Sequence, residues 1–398
     1  MMRITKSTYL FFASALILSF WDLRIITTTL NRDIILSLSL FWSIIGYYIP
    51  FKKRLPKRNF NNYKWIWITI FSGIFISMFN AYLFWKQPLS TTFIAQRFIY
   101  VFILFPTLLY IQPSFSDVFN ALKQISIVTL ICWILGIFSP TLFSRISEAA
   151  IENRKETLTT DIGYYTTGIS LVALYTYYLI QSYLIDFSYK KFFKACLWVL
   201  FIILYQNRSM MIGIIIIFIY SLFKIKTKHK NTIVLITFIL ILIGIYHTST
   251  MWMSLLDETQ TQLSDEEYNR WKAFHYYLNN YAPNLWCFIF GSGMPSGGNS
   301  ELGYLYWQNM ENGIFFSDLG LMGTWVVYGI LPIIVIYSII AKIIFTRTYP
   351  FILKFMSFHI LIIPTIFYLN NGEGTLLFIF LFYLYVYSTE INKRHTIC

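Results

Sequence analysis

A chain of 398 residues that is 57% hydrophobic and only 12% charged, with a mean hydropathy of +0.59, cannot clothe a core in a charged shell, which excludes a soluble globular enzyme. Its net charge of +13 does not point to nucleic acid, because the basic residues sit in short loops between long apolar runs. The runs predict an all-α fold: one integral membrane domain over residues 1–398, a polytopic transmembrane helical bundle of about twelve spans.

In chain order the predicted spans are 8–21, 34–50, 65–85, 93–112, 125–143, 162–184, 193–206, 209–223, 232–247, 319–341, 356–369 and 375–388. The first follows Arg3 and Lys6 like a signal peptide. It lacks a small-residue cleavage site and ends in Trp21-Asp22-Leu23-Arg24, so it reads as a retained helix. The four cysteines share no short spacing, which leaves neither a disulfide framework nor a metal site.

Charge sets the orientation. With the N-terminus inside, roughly 21 Lys and Arg fall in cytoplasmic segments and roughly 9 outside, with Arg97 within a span. The strongest inside signals are Lys52-Lys53-Arg54 with Lys57-Arg58, and the run from Lys224 to Lys230. The alternation places both termini in the cytoplasm of a multi-pass plasma-membrane protein.

Between the ninth and tenth spans lies an external loop, 249–318, too long to be a connector. Ser264-Asp265-Glu266-Glu267 reads as a capping box that starts a helix running to about Tyr281, before Pro283. Trp271, Phe274 and Leu278 share one face of that helix, and Glu266 and Arg270 pair on another. Such a helix lies on the membrane surface or caps a cavity.

Three arginines fall at one membrane level. Arg97, in Ala95-Gln96-Arg97-Phe98, either serves a site or snorkels to the interface. Arg208 sits in an external turn where positive charge is disfavoured, so it reads as an anion contact or an anchor on lipid phosphate. Arg270 has its exposed pair with Glu266 as the plain reading. Converging guanidinium groups suit a pyrophosphate. Glu311 and Asp318, just before the tenth span, are each a general base or an ordinary solvated or capping carboxylate. Gly291-Ser292-Gly293 is no nucleotide fingerprint and reads as a turn where the chain folds back. His275, on the loop helix, reads as an interfacial side chain.

In order along the chain, Asn207-Arg208-Ser209-Met210-Met211-Ile212-Gly213, Arg270-Trp271-Lys272-Ala273, Gly291-Ser292-Gly293 and Asp318-Leu319-Gly320-Leu321-Met322-Gly323 resemble the O-antigen polymerase and ligase superfamily, the Wzy-type polymerases and their relatives. The likeness covers mainly residues 205–332. It implies a metal-independent membrane glycosyltransferase with no cofactor and no nucleotide sugar. Such an enzyme joins polyprenyl-diphosphate-linked oligosaccharide repeat units on the outer face of the bacterial inner membrane, in O-antigen, capsule or exopolysaccharide synthesis. The partners implied are the undecaprenyl-type diphosphate glycan, the bilayer, a chain-length regulator and a flippase, with no nucleic acid. By the resemblance Arg208 and Arg270 contact the diphosphate; sidedness, not the resemblance, adds Arg97 as a third candidate contact. Glu311 or Asp318 deprotonates the acceptor, or no side chain does. Ligase relatives carry His-Asn before the Gly-x-x-Gly opening; here Glu311-Asn312 stands nearest, which favours a polymerase. Competing expectations are ligase-type transfer, a lipid-linked glycan flippase or other transporter, and a noncatalytic membrane subunit.

Overall fold

The structure, a computed structural model, describes residues 4–23, 26, 32–49, 51, 61–139, 142, 167–205, 208–225, 230–231, 234–235, 237–238, 269–297, 300–362, 367–369 and 371–397. Among these every regular element is helical. In the first half they are α1 (Lys6–Ile17), α2 (Arg32–Ile45), α3 (Lys64–Trp85), α4 (Leu89–Ala95), a 3-10 stretch Arg97–Ile103, α5 (Leu104–Ile111), α6 (Phe115–Phe138), α7 (Ile169–Ile185) and α8 (Tyr189–Leu204). There follow α9 (Arg208–Lys224), α10 (Asn269–Asn279), α11 (Leu285–Phe290), α12 (Glu301–Glu311), a 3-10 turn Phe316–Leu319, α13 (Leu321–Tyr328), α14 (Ile330–Phe345), α15 (Phe351–Ile362) and α16 (Gly372–Ile397). The ninth expected span and the capping box at Ser264 lie largely or wholly outside the described residues.

Segments 61–85, 115–138 and 372–391 are long and apolar enough to cross a membrane. A fourth is added if α4 and the following 97–111 stretch, bent by 70°, form one broken span. Five more expected spans, 34–50, 162–184, 209–223, 319–341 and 356–369, correspond to shorter apolar helices. Two expected spans are interrupted. The chain breaks at Gln96 between α4 and Arg97, and Pro106 falls in the first turn of α5, where its missing N–H is not needed. It breaks again at Gly329 (φ +77), with Pro332 in the first turn of α14.

Residues Leu376 to Leu384 of α16 are buried on every side, which identifies α16 as the central helix. It packs against the 97–103 stretch, α5, α7, α1 and α15. Around it the buried core is mainly apolar, and the surface is apolar as well. Ser77, Thr129, Thr176, Ser221 and His359 are fully buried, while Phe193, Leu197 and Leu200 form an exposed stripe along α8 and Ile212, Ile216 and Phe223 one along α9. An apolar exterior around polar contacts suits lipid, where exposed apolar area carries no penalty. Inside, the Tyr177 hydroxyl bonds His359 Nδ1 at 2.5 Å, and Gly213 makes room for that histidine ring.

Contacts sort the interhelical segments into two ends. At one, Lys6 Nζ donates to the Gln112 carbonyl, the Tyr63 hydroxyl to Glu390, and Tyr349 bonds Thr389. At the other, Arg97 pairs with Asp33, Lys86 with Glu301, and the Gly168 N–H donates to Glu373. α3 and α16 each run from one end to the other, antiparallel: Tyr63 opens α3 beside Glu390, and Glu373 opens α16 beside Gly168. At 1.5 Å per residue each is about 30 Å or more long, the thickness of the hydrocarbon.

Candidate functional site

The site is built where the 269–320 segment folds back onto the Arg97 end. Two amides at that end of the bundle anchor it. Asn80, buried near the end of α3, donates to the Gly291 carbonyl at 2.8 Å and accepts from the Trp286 indole at 2.9 Å. Gln87, also buried, donates to the Met294 carbonyl and accepts from the Ser296 N–H and the Ser300 hydroxyl. Between these anchors, Gly291-Ser292-Gly293 is buried against the helix break at Gly329. The Ser292 and Gly293 N–H groups donate to the carbonyls of Val326 and Val327 at 3.0 Å. Gly291 (φ +83) and Gly293 (φ +80) hold left-handed backbone, and a Cβ on Gly291 would stand 2.4 Å from the Gly329 nitrogen. The fold-back expected of this tripeptide is thus present, and only glycine satisfies both the dihedral and the approach.

α10 lies over this segment, but not on the face its sequence suggests. Trp271, Phe274 and Leu278 stay exposed; Ala273 and Tyr277 are the buried pair. Tyr277 meets the rings of Tyr281 at 4.9 Å and Phe316 at 6.0 Å, and Phe316 in turn meets Tyr306 and Tyr368. Aromatic partners from the 3-10 turn outcompete the more hydrophobic stripe because their rings are fixed by the bundle beneath. The stripe is left facing outward, as a surface helix at an interface would have it. The long loop holds α11 and α12 as well, two helices the sequence reading did not find.

Each expected site residue has a definite place or falls outside the described structure. Arg270 is exposed in the first turn of α10, within electrostatic reach of Asp318. Asp318, in the 3-10 turn before α13, has an exposed edge, yet crowding by protein raises its carboxyl above the ordinary value. Arg270 and then Ser317 oppose that rise. Glu311 closes α12 as an exposed carboxylate without a hydrogen-bond or ion-pair partner among the described residues. Arg97 follows the α4 break and is engaged: Nε lies 2.8 Å from Asp33 Oδ1, Nη1 donates to the Ile94 carbonyl, and the group sits over the Phe98 ring. Arg208 opens α9, and its side chain lies outside the described residues, as do Asn207 and Glu266. The structure therefore pairs Arg97 with Asp33 and brings Arg270 within electrostatic reach of Asp318. The Arg270–Glu266 pair and any meeting of Arg208 with Arg270 rest on sequence alone.

A shallow cleft with room for about one water opens between α10, α11 and α13. Its walls include Tyr277, Tyr281, Phe288, Met322 and Trp325, with Ser292 at the glycine turn. Trp325 is held by its indole N–H on the Phe288 carbonyl at 2.8 Å. Cys287 also lines it, but burial pushes that thiol up to about 11, so it is no nucleophile at neutral pH. Among the described residues no cluster of His, Cys, Asp and Glu could hold a metal. Sequence reasoning missed Asp33, Asn80, Gln87 and the cleft. Each depends on a partner distant along the chain, so no local spacing marks it.

Compared with protein-family models, with curated proteins and with solved structures, the chain matches none of them.

Proposed function

We propose that this protein is a multi-pass polysaccharide polymerase of the bacterial inner membrane, a metal-independent glycosyltransferase that joins polyprenyl-diphosphate-linked repeat units on the outer face. The observation that carries the reading is convergence. Arg270, Gly291-Ser292-Gly293 and Asp318-Leu319-Gly320-Leu321-Met322-Gly323 are well separated in sequence, and they meet around α13. These are three of the four motifs on which the resemblance rests. The two-ended sorting of the interhelical segments supports the topology, because each end gathers the segments that charge assigns to one side. Under it both termini are cytoplasmic, the twelve spans alternate, and the 249–318 loop is external.

The reaction has simple bookkeeping. The acceptor hydroxyl oxygen attacks the anomeric carbon of the donor sugar, and its proton passes to a carboxylate. The anomeric carbon–oxygen bond breaks, releasing polyprenyl diphosphate. Arg208 and Arg270 bind the diphosphate and stabilise the charge that grows on it. Of the two carboxylates Asp318 is the better candidate base, since it is the one partly desolvated and within electrostatic reach of Arg270. The decisive experiment supplies purified protein with a lipid-linked repeat unit and sizes the products. A ladder is expected. Arg208→Lys is expected to shorten it severely, by about a hundred- to thousand-fold in rate, because a point charge replaces a bidentate fork. A normal ladder from both Arg208→Lys and Arg270→Ala refutes the diphosphate assignment.

A second reading, a lipid-linked glycan transporter, draws on one observation: the 70° break at Arg97 beside a buried bundle. Discontinuous helices build transporter sites. Glycan movement across vesicles without any bond formation would favour it.

A further inference from the structure

We propose that Lys123, Lys190 and Lys194 form a headgroup site for an anionic phospholipid of the cytoplasmic leaflet, with its acyl chains laid along the exposed faces of α6 and α8. The inference goes beyond the polymerase reading and does not rest on it; it uses only the membrane setting and the sidedness. Two observations carry it. First, three ammonium groups gather with nothing in the chain to balance them. Lys123 on α6 and Lys190 on α8 lie within electrostatic reach of Lys194 on α8, and all three are exposed. Among the described residues none of the three has an ion-pair or hydrogen-bond partner. The acids nearest in sequence are engaged elsewhere, Asp117 in a capping box with Ser114 and Asp186 with Lys191 at 2.6 Å. Other lysines on segments assigned to this side do have a partner in the chain. Lys6 donates to the Gln112 carbonyl and Lys354 to the Arg347 carbonyl, while Lys224 and Lys342 lie over the rings of Tyr220 and Trp65. Like charges held together repel, so a cluster of three gains from an anion brought from outside the chain.

Second, the lysines head two apolar tracks. Lys123, Ile127, Ile131 and Ile134 recur at i, i+4, i+8 and i+11 along one face of α6, and all are exposed. On α8 Lys190 and Lys194 share a face with Phe193, Leu197 and Leu200, likewise exposed. Both helices start at the same end of the bundle. α6 begins just after Gln112, the partner of Lys6, and α8 begins where α7 finishes its course from the Glu373 end. Both pack on α7, and they meet each other further along, where the Trp133 and Phe201 rings stand 5.4 Å apart. The lysines therefore lie at the cytoplasmic headgroup level, and the tracks run from them into the hydrocarbon. From Lys123 to Ile134 is about 16 Å at the helix rise, close to the depth of one leaflet, about half of 30 Å.

That combination selects the occupant. A soluble anion or a nucleotide would meet the lysines and leave both tracks unused. A zwitterionic phospholipid would use the tracks but bring an ammonium group of its own to a cluster of cations. A phospholipid whose net charge is its phosphodiester satisfies both features.

The test purifies the full-length protein in mild detergent, supplies equal amounts of phosphatidylglycerol and phosphatidylethanolamine, and counts bound lipid by native mass spectrometry. The wild-type protein is expected to retain phosphatidylglycerol in preference. Combining Lys123→Gln, Lys190→Gln and Lys194→Gln is expected to weaken that retention by about tenfold or more. Combining Lys224→Gln, Lys342→Gln and Lys354→Gln removes the same charge from lysines that have partners in the chain, and should leave retention as in wild type. Glycerophosphoglycerol, which carries the same phosphodiester without acyl chains, should not displace the lipid at matched concentration. Four results each overturn the site: no preference for the anionic lipid, a cluster variant that retains it, a control variant that loses it equally, or displacement by the chain-free headgroup. The first and last are read on wild type alone, so a misfolded variant leaves the proposal open to refutation.

Discussion

Asp318 is the residue whose environment most invites a test. Desolvation raises its carboxyl, so the fold favours the neutral form over the charged one. The sign follows from linkage. The stabilising contribution is fully present below the ordinary carboxylate value of 3.8 and is lost as pH rises through the raised folded value. Asp318→Asn should therefore match or exceed wild type in unfolding temperature at neutral pH, with the difference vanishing at strongly acidic pH. If Asp318 is the base, the same variant should lose about 10²- to 10⁴-fold in transfer rate. Removing Arg270 takes away the group that holds the carboxyl down, so Arg270→Ala should move the acidic limb of any pH–rate profile upward. An unmoved limb would separate the two residues. The glycine turn gives a second test at this scale. Gly291→Ala forces a side chain into left-handed backbone and against Gly329, costing about 1–3 kcal/mol for the dihedral alone. Gly297→Ala is the control, since its Cβ would meet the end of the Trp307 side chain rather than backbone. Equal unfolding temperatures for the two variants would contradict the described packing.

Among the elements, α7 depends on a cap supplied from elsewhere in the chain. Its first turn is preceded by Gly168 (φ +110), which has no side chain to accept from the free N–H groups. Glu373, in the first turn of α16, takes that place: its two oxygens accept from Gly168 at 2.9 Å and Ser170 at 2.6 Å. A carboxylate at a helix N-terminus gains from both the hydrogen bonds and the dipole. Glu373→Ala should cost about 1.5–3 kcal/mol, measured by thermal or denaturant unfolding in detergent, and Glu373→Gln less, since it keeps one acceptor. Identical unfolding of all three proteins would show that the cap carries no weight.

Taken as a whole, the molecule carries exposed apolar stripes over an apolar core and threads α16 through its middle. If the charge asymmetry sets the orientation, the Arg97 end of the bundle faces out. Cysteine labels placed at Ser264 and Gly298 should react from outside intact cells, and labels at Lys53 and Lys228 should not. External labelling at Lys228 would invert the latter half of the topology and remove the outer-face chemistry with it.

The sequence by itself determined the helices and little of their pairing. The run Lys64–Trp85 announces itself because hydrophobicity and helix period act over a few turns of one segment, whereas the helix Phe115–Phe138 starts ten residues before the expected span 125–143, at the capping box of Ser114 and Asp117. The breaks at Gln96 and Gly329 were not read, and the expected spans 93–112 and 319–341 run through both, although Gly329 with Pro332 is a breaker signal of the same short range. The order of the motifs around Arg208, Arg270, Gly291 and Asp318 was legible too. Tertiary structure alone decided that Arg97 answers to Asp33, that Glu373 caps a helix 205 residues earlier, and that α10 buries Tyr277 rather than Trp271. The physical reason is range. Propensity, periodicity and capping are interactions within about four residues, whereas a side chain's partner depends on which helices the lipid-facing stripes leave free to pack against one another.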